Sequence, residues 1–76
     1  MAHNANTQST PLLTARQKAC LQLTAEGLTA QAAAHRMGIS VRMVRWHLQQ
    51  VRQKLGASSS TQAVLLASKL GLLEDL

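Results

Sequence analysis

The sequence has no phenylalanine and no tyrosine, and Trp46 is its one aromatic residue of that group. A core built on large rings is therefore excluded, and any core must be aliphatic. Cys20 is the single cysteine, so no internal disulfide can brace the fold. That fits a reducing compartment, and the expected location is the cytoplasm. Proline occurs once, at Pro11, and glycine only four times, so little interrupts regular backbone after residue 13. No apolar run is long enough to span a bilayer, and nothing resembles a signal peptide. No membrane association is expected. Acids are scarce too: Glu26, Glu74 and Asp75 stand against eight Lys and Arg, for a net charge of +5.

What is present is Ala, Leu and Gln in quantity, which favours helix. With 76 residues the chain makes one small domain. Residues 1–11 are polar and lack periodicity and caps, and are expected to be a disordered tail. His3 in that tail is an incidental histidine or a copper or nickel ligand at a free amino terminus, and the incidental reading is preferred. Residues 12–76 carry four sets of start and stop signals. Thr14 caps the first helix, with Gln17 placed for a capping box, and Gly27 ends it. Thr29 starts the second and Gly38 stops it. Ser40 opens the third, which closes near Leu55 and Gly56. The fourth starts around Ser59, with Gln62 again at capping-box spacing, and ends at Gly71. No strand signal appears, so the fold class is all-α with four helices.

Helices two and three are joined only by Gly38, Ile39 and Ser40. So short a link forces a steep crossing, which needs small residues at the contact. Ala32, Ala33 and Ala34 supply them, Gly38 turns the corner, Ile39 plugs the gap and Val44 packs down from the third helix. These are the steric requirements of a helix-turn-helix. At about 100° per residue, Val44, Leu48, Val51 and Leu55 form the core side of the third helix. Arg42, Arg45, Trp46, Gln49 and Gln53 lie opposite, flanked by Arg52. Arg can bond guanine in a bidentate way, Gln can bond adenine, and an aromatic can pack on a thymine methyl or a sugar. The plainer reading is a solvated basic face with Trp46 tucked under the tail. The residue types, together with an acid-free stretch from Gly27 to Leu73, favour double-stranded DNA.

His47, at the margin of the core side, has no second ligand at a fitting offset and reads as a packing residue. Cys20, Met37 and Met43 read the same way. No nucleophile–base pair, phosphate loop or metal-ligand cluster is apparent. Neither an enzyme nor a cofactor or metal site is expected. On the fourth helix Ala63, Leu66, Ala67 and Leu70 share the expected core face. Thr61, Val64, Leu65 and Ser68 lie on the other side. Val64, Leu65 and Ser68 are the expected dimer interface, with a weak homodimer firming on an inverted-repeat operator.

Several blocks resemble a known family in order. They are Leu13-Thr14-Ala15-Arg16, Ala25-Glu26-Gly27-Leu28-Thr29, Met37-Gly38-Ile39-Ser40, Val44, His47-Leu48, Lys54-Leu55-Gly56, Ser58 to Val64, and Leu70-Gly71-Leu72-Leu73. Together they are similar to the LuxR-type helix-turn-helix domain over about residues 13–73. The resemblance implies a four-helix DNA-binding domain of a bacterial transcription regulator, usually placed C-terminal to a sensory domain. The closing Leu-Gly-Leu-Leu is similar to the quorum-sensing branch. The resemblance further implies base contacts at Arg45, Trp46 and Gln49, and backbone contacts that include Thr29, Arg42 and Lys54. Charge adds Arg36 and Arg52 to the phosphate-binding set. The resemblance also implies pairing through the fourth helix, and RNA polymerase is a further expected partner.

Departures from the family pattern are Gln17 for Glu, Ala32-Ala33-Ala34 for Glu-Ile-Ala, Met43 for Thr, Gln50 for Asn and Ser60 for Arg. The first three are expected to loosen packing or capping. Two alternatives compete with this reading. Region 4 of a sigma factor shares the opening and the helix-turn-helix, but the capped fourth helix here argues against it. A truncated regulator acting only as a protein-interaction module would not need the basic face.

Overall fold

The computed structural model describes residues 12–74. Four helices occur among them: α1 (Ala15–Ala25), α2 (Ala30–Met37), α3 (Val41–Leu55) and α4 (Ser60–Lys69). The expected tail, His3 included, lies outside the described residues.

Each helix starts on a hydroxyl cap. Thr14, Thr29, Ser40 and Ser59 have extended backbone, and each side chain accepts from the amide three residues on. Such a cap contributes about 1 kcal/mol by satisfying an otherwise orphaned donor. Gln17 completes the box on α1, since its Oε1 accepts from the Thr14 amide at 3.0 Å. The Glu-to-Gln departure therefore leaves that cap intact. On α4 the expected box is displaced by one residue. Gln62 Oε1 accepts from the Ser58 amide at 2.6 Å and the Ser58 hydroxyl at 3.0 Å, not from Ser59.

The helix ends are equally regular. At the end of α2 the Gly38 amide donates to His35 and the Ile39 amide to Ala34. This paired arrangement satisfies the last carbonyls and needs a left-handed residue at its centre. Gly38 occupies that position at φ 71°, where a side chain would be strained. The same pairing ends α1, α3 and α4, and it turns Leu28, Ala57 and Leu72 back toward the preceding helix, as it turns Ile39.

α1 packs on α3, α4 and α2, and α3 packs on α2 and α4, whereas α2 and α4 do not meet. The core thus sits between a central α1–α3 pair and two flanking helices. It comprises Cys20 and Leu21 from α1, Ala33 and Ala34 from α2, Val44, Leu48 and Val51 from α3, and Ala63 and Ala67 from α4. Four of these nine are alanines, which lets backbones approach closely at the α2–α3 corner and beneath α4. Burial pushes the Cys20 thiol above its ordinary pKa, opposed by a smaller pull from Arg16. It stays a neutral thiol and donates weakly to Met37 Sδ at 3.6 Å. Gln22 closes the other end of the domain, since its Oε1 accepts from the Glu74 amide at 2.9 Å.

Two expectations about packing need correction. Leu70 was placed on the core face of α4 but is 44% exposed. It is the C-cap, and the chain turns immediately at Gly71, so Leu72 and Leu73 fold back onto the core in its place. Met43 was read as a packing residue but is 40% exposed. It lies in the first turn of α3 but about 100° round the helix from the buried Val44, off the core side.

Candidate DNA interface on the third helix

α3 has one strongly apolar side and one strongly polar side. Val44 and Val51 are wholly buried, and Leu48 nearly so. On the opposite side Arg42, Arg45, Trp46 and Gln49 are all exposed. They follow an i, i+3, i+4, i+7 spacing, so they form one continuous stripe. Together with Arg52, Ala30 and Ser60 they line an open concavity of about 590 Å³ between the starts of α2 and α4. The arrangement brings the three residues expected to meet bases onto one surface, with Arg42 and Arg52 beside them.

Trp46 is 51% exposed, and its ring is not collapsed onto the core. It meets the His47 ring edge-on, with centroids 5.2 Å apart and planes at 66°. Such aromatic pairs fix ring orientation. His47 is 8% exposed, and neither ring nitrogen finds a partner among the described residues. The ring thus packs at the margin of the core, with Trp46 against its edge. Among the described residues no three His, Cys, Asp or Glu side chains converge as metal ligands would.

The remaining cations differ in how far they are engaged. Arg36 is exposed near the C-terminus of α2. Thr29 is exposed, and its hydroxyl oxygen already caps α2. Arg52 Nη1 donates to Ser60 Oγ at 3.3 Å, which ties α3 to the start of α4. The residue that the family often fills with Arg thus serves here as an acceptor that positions one. Lys54 Nζ donates to the Leu12 carbonyl at 3.0 Å and to Gln17 Oε1 at 2.9 Å. Two of its three protons are spent bracing the end of α3 against the start of α1. This structural role was missed from sequence, because it joins residues far apart in the chain. On α4, Leu65 is 58% exposed and Ser68 is exposed, while Val64 is half-buried against the core. Of the three residues of the expected dimer face, Leu65 is therefore the most prominent apolar one on the surface.

A family profile described as bacterial regulatory proteins, luxR family, matches residues 11–67. The chain belongs to the LuxR family of bacterial regulatory proteins. It is 37% identical over 67 residues to the spore germination protein GerE of Bacillus subtilis, covering 88% of this chain and 90% of GerE. The solved structure of GerE superposes with a TM-score of 0.80 at 34% identity, covering 86% of this chain and 97% of that one. A VqmA–ligand–DNA complex from Vibrio cholerae matches with a TM-score of 0.78 at 36% identity, over 88% of this chain and 30% of that one. Against other, longer regulators the chain spans only 21% to 29% of their length. As a LuxR-type helix-turn-helix domain, the chain binds DNA sequence-specifically in transcription regulation.

Proposed function

We propose that α3 lies in the major groove and that Arg45, Trp46 and Gln49 contact base edges there. The observation that carries this reading is the single exposed stripe of Arg42, Arg45, Trp46 and Gln49 opposite the buried side of α3. Arg36, Arg42, Arg52 and Lys54, with the Thr29 hydroxyl, would hold the phosphates on either side of the groove. On this reading the domain acts by binding DNA, in the cytoplasm where that DNA lies. RNA polymerase is the further partner a promoter-bound regulator would meet. VqmA, solved with DNA, supports the groove reading by its likeness to this fold.

The test uses Trp46, the protein's one tryptophan. Titration with DNA is expected to change its fluorescence intensity and emission maximum, because a half-exposed indole moves against a base or sugar. An unaltered spectrum at saturating DNA, with binding confirmed by anisotropy, would remove Trp46 from the interface.

Pairing through α4 is the second part of the proposal. Leu65 presents an apolar side chain directly away from the core, flanked by Thr61 and Ser68. A two-fold axis at Leu65 makes the patch self-complementary and can set two recognition helices about 34 Å apart, one turn of DNA. The patch is small, so pairing should be weak in solution and firm on an inverted repeat. VqmA is described as a dimer, which agrees with this arrangement. Leu65→Glu is expected to abolish cooperative binding to a palindrome while leaving half-site affinity unchanged. Equal affinity losses on half-site and palindrome, at an unaltered melting temperature, would count against the interface.

A further inference from the structure

Beside the polar stripe, the start of α3 carries an apolar cup that base-edge hydrogen bonding does not explain. Arg42, Met43 and Trp46 line a surface dimple of about 260 Å³. Met43 and Trp46 stand three residues apart, and Arg42 and Trp46 four, so all three side chains meet on one face. Met43 contributes a thioether chain, Trp46 the face of its indole, and Arg42 its methylene stem, whose charged head can reach outward. An exposed methionine beside a half-exposed tryptophan is costly to leave in water, and on a domain this small the pair stands out. The cup also sits within the acid-free surface, beside Arg42 and Arg45, so its occupant must be compatible with a polyanion.

The major groove offers one apolar group that projects toward a protein, the 5-methyl of thymine. Residues at the N-terminal end of a recognition helix approach base edges most closely, and Met43 lies in the first turn of α3. Methionine is flexible and polarisable, and so adapts to a small apolar group without a rigid socket. We infer that each half-site of the target contains a thymine whose 5-methyl docks between Met43, Trp46 and the Arg42 stem. Met43 is then a specificity-determining residue, where the sequence alone read it only as a packing residue. This rests on α3 occupying the major groove. It adds a methyl-reading element distinct from the hydrogen-bonding pair Arg45 and Gln49.

The experiment starts from a randomised duplex library, from which the 76-residue chain selects a consensus site. That site is then resynthesised with 2′-deoxyuridine replacing thymidine at one position at a time, which deletes a methyl and nothing else. One position per half-site is expected to weaken binding by about fourfold, the effect of exposing one buried methyl. The same deletion should have no effect on Met43→Ala or on Trp46→Ala. Met43→Gln, a helix-favouring polar replacement of similar length, serves as a second variant, and melting curves confirm that all three fold. Binding that is insensitive to every methyl overturns the inference. So does a methyl effect that persists undiminished in the Met43 and Trp46 variants, since the methyl is then read elsewhere. A library that yields no enriched sequence defeats the groove reading itself, an outcome distinct from either.

Discussion

Raising the salt concentration from 50 to 200 mM is expected to weaken binding to a palindromic site by about 10³–10⁵-fold. The reasoning runs through counterion release. Each cation that neutralises a phosphate frees a condensed counterion, so affinity falls with salt at a log–log slope of about −0.9 per contact. On the proposed binding mode Arg36, Arg42, Arg52 and Lys54 would supply four such contacts per copy, and two copies on an inverted repeat would double the number, which lies in the range that gives this loss. A single copy on a half-site should lose only about a hundredfold over the same range. The slope therefore reports stoichiometry as well as charge, and anisotropy titrations on the two DNAs separate the cases. A flat salt dependence on both would exclude phosphate contact and leave protein-interaction as the better account of the chain.

The individual cations should not contribute alike. Arg42 is exposed on the stripe, so Arg42→Ala should reduce the slope by about one per copy, with the melting temperature unchanged. Lys54 is held by Leu12 and Gln17, which makes it a strut between α3 and α1. Lys54→Ala should weaken every DNA sequence to a similar extent, and it should also lower the melting temperature. Removing Lys54 leaves Gln17 Oε1, on a buried side chain, with only the Thr14 amide as partner. A binding loss in this variant is attributable to phosphate contact only after the stability loss is subtracted.

The contrast between Arg42 and Lys54 shows where the sequence was informative. Helix starts and stops are local: a hydroxyl three residues from an amide, or a glycine at the end of a periodic run, carries its meaning within one turn. Thr14, Thr29, Ser40 and Ser59 all cap as read, and the four glycines all turn the chain with positive φ. The core side of α3 is also local, because its period is long enough to be unambiguous. Positions at helix ends are different. Leu70 falls on the core face of α4 by periodicity, yet exposure depends on whether a neighbouring element extends far enough to cover it. At the end of α4 the chain has already turned, so Leu72 and Leu73 take its place. The Lys54 strut depends on the register of α1 against α3, which no local pattern encodes. Val64 illustrates the same limit, since it lies away from the core by angle but is partly covered by tertiary packing.

Arg45→Ala and Gln49→Ala are each expected to cost about 1–3 kcal/mol on the specific site, roughly 5- to 150-fold, with far less effect on random DNA. Both residues lie on the exposed stripe, one turn apart, where side chains of a helix lying in the groove can meet base edges. Arg45 presents a planar fork that matches the two acceptors of guanine. Losing it leaves those acceptors without a partner in a partly dried interface, which is why the penalty exceeds that of one ordinary hydrogen bond. Gln49 has both a donor and an acceptor, and so matches adenine. Its replacement should relax selectivity at one position and leave the others intact. The measurement is a pair of binding isotherms per variant, one on a selected site and one on scrambled DNA of equal length, at a single fixed salt concentration. Fixed salt matters because Arg45→Ala also removes a charge, and the electrostatic part appears equally on both DNAs. The difference between the two isotherms isolates base reading. If the losses on selected and scrambled DNA are the same, Arg45 is a phosphate contact. Base selectivity would then rest on Gln49, Trp46 and the apolar cup beside them.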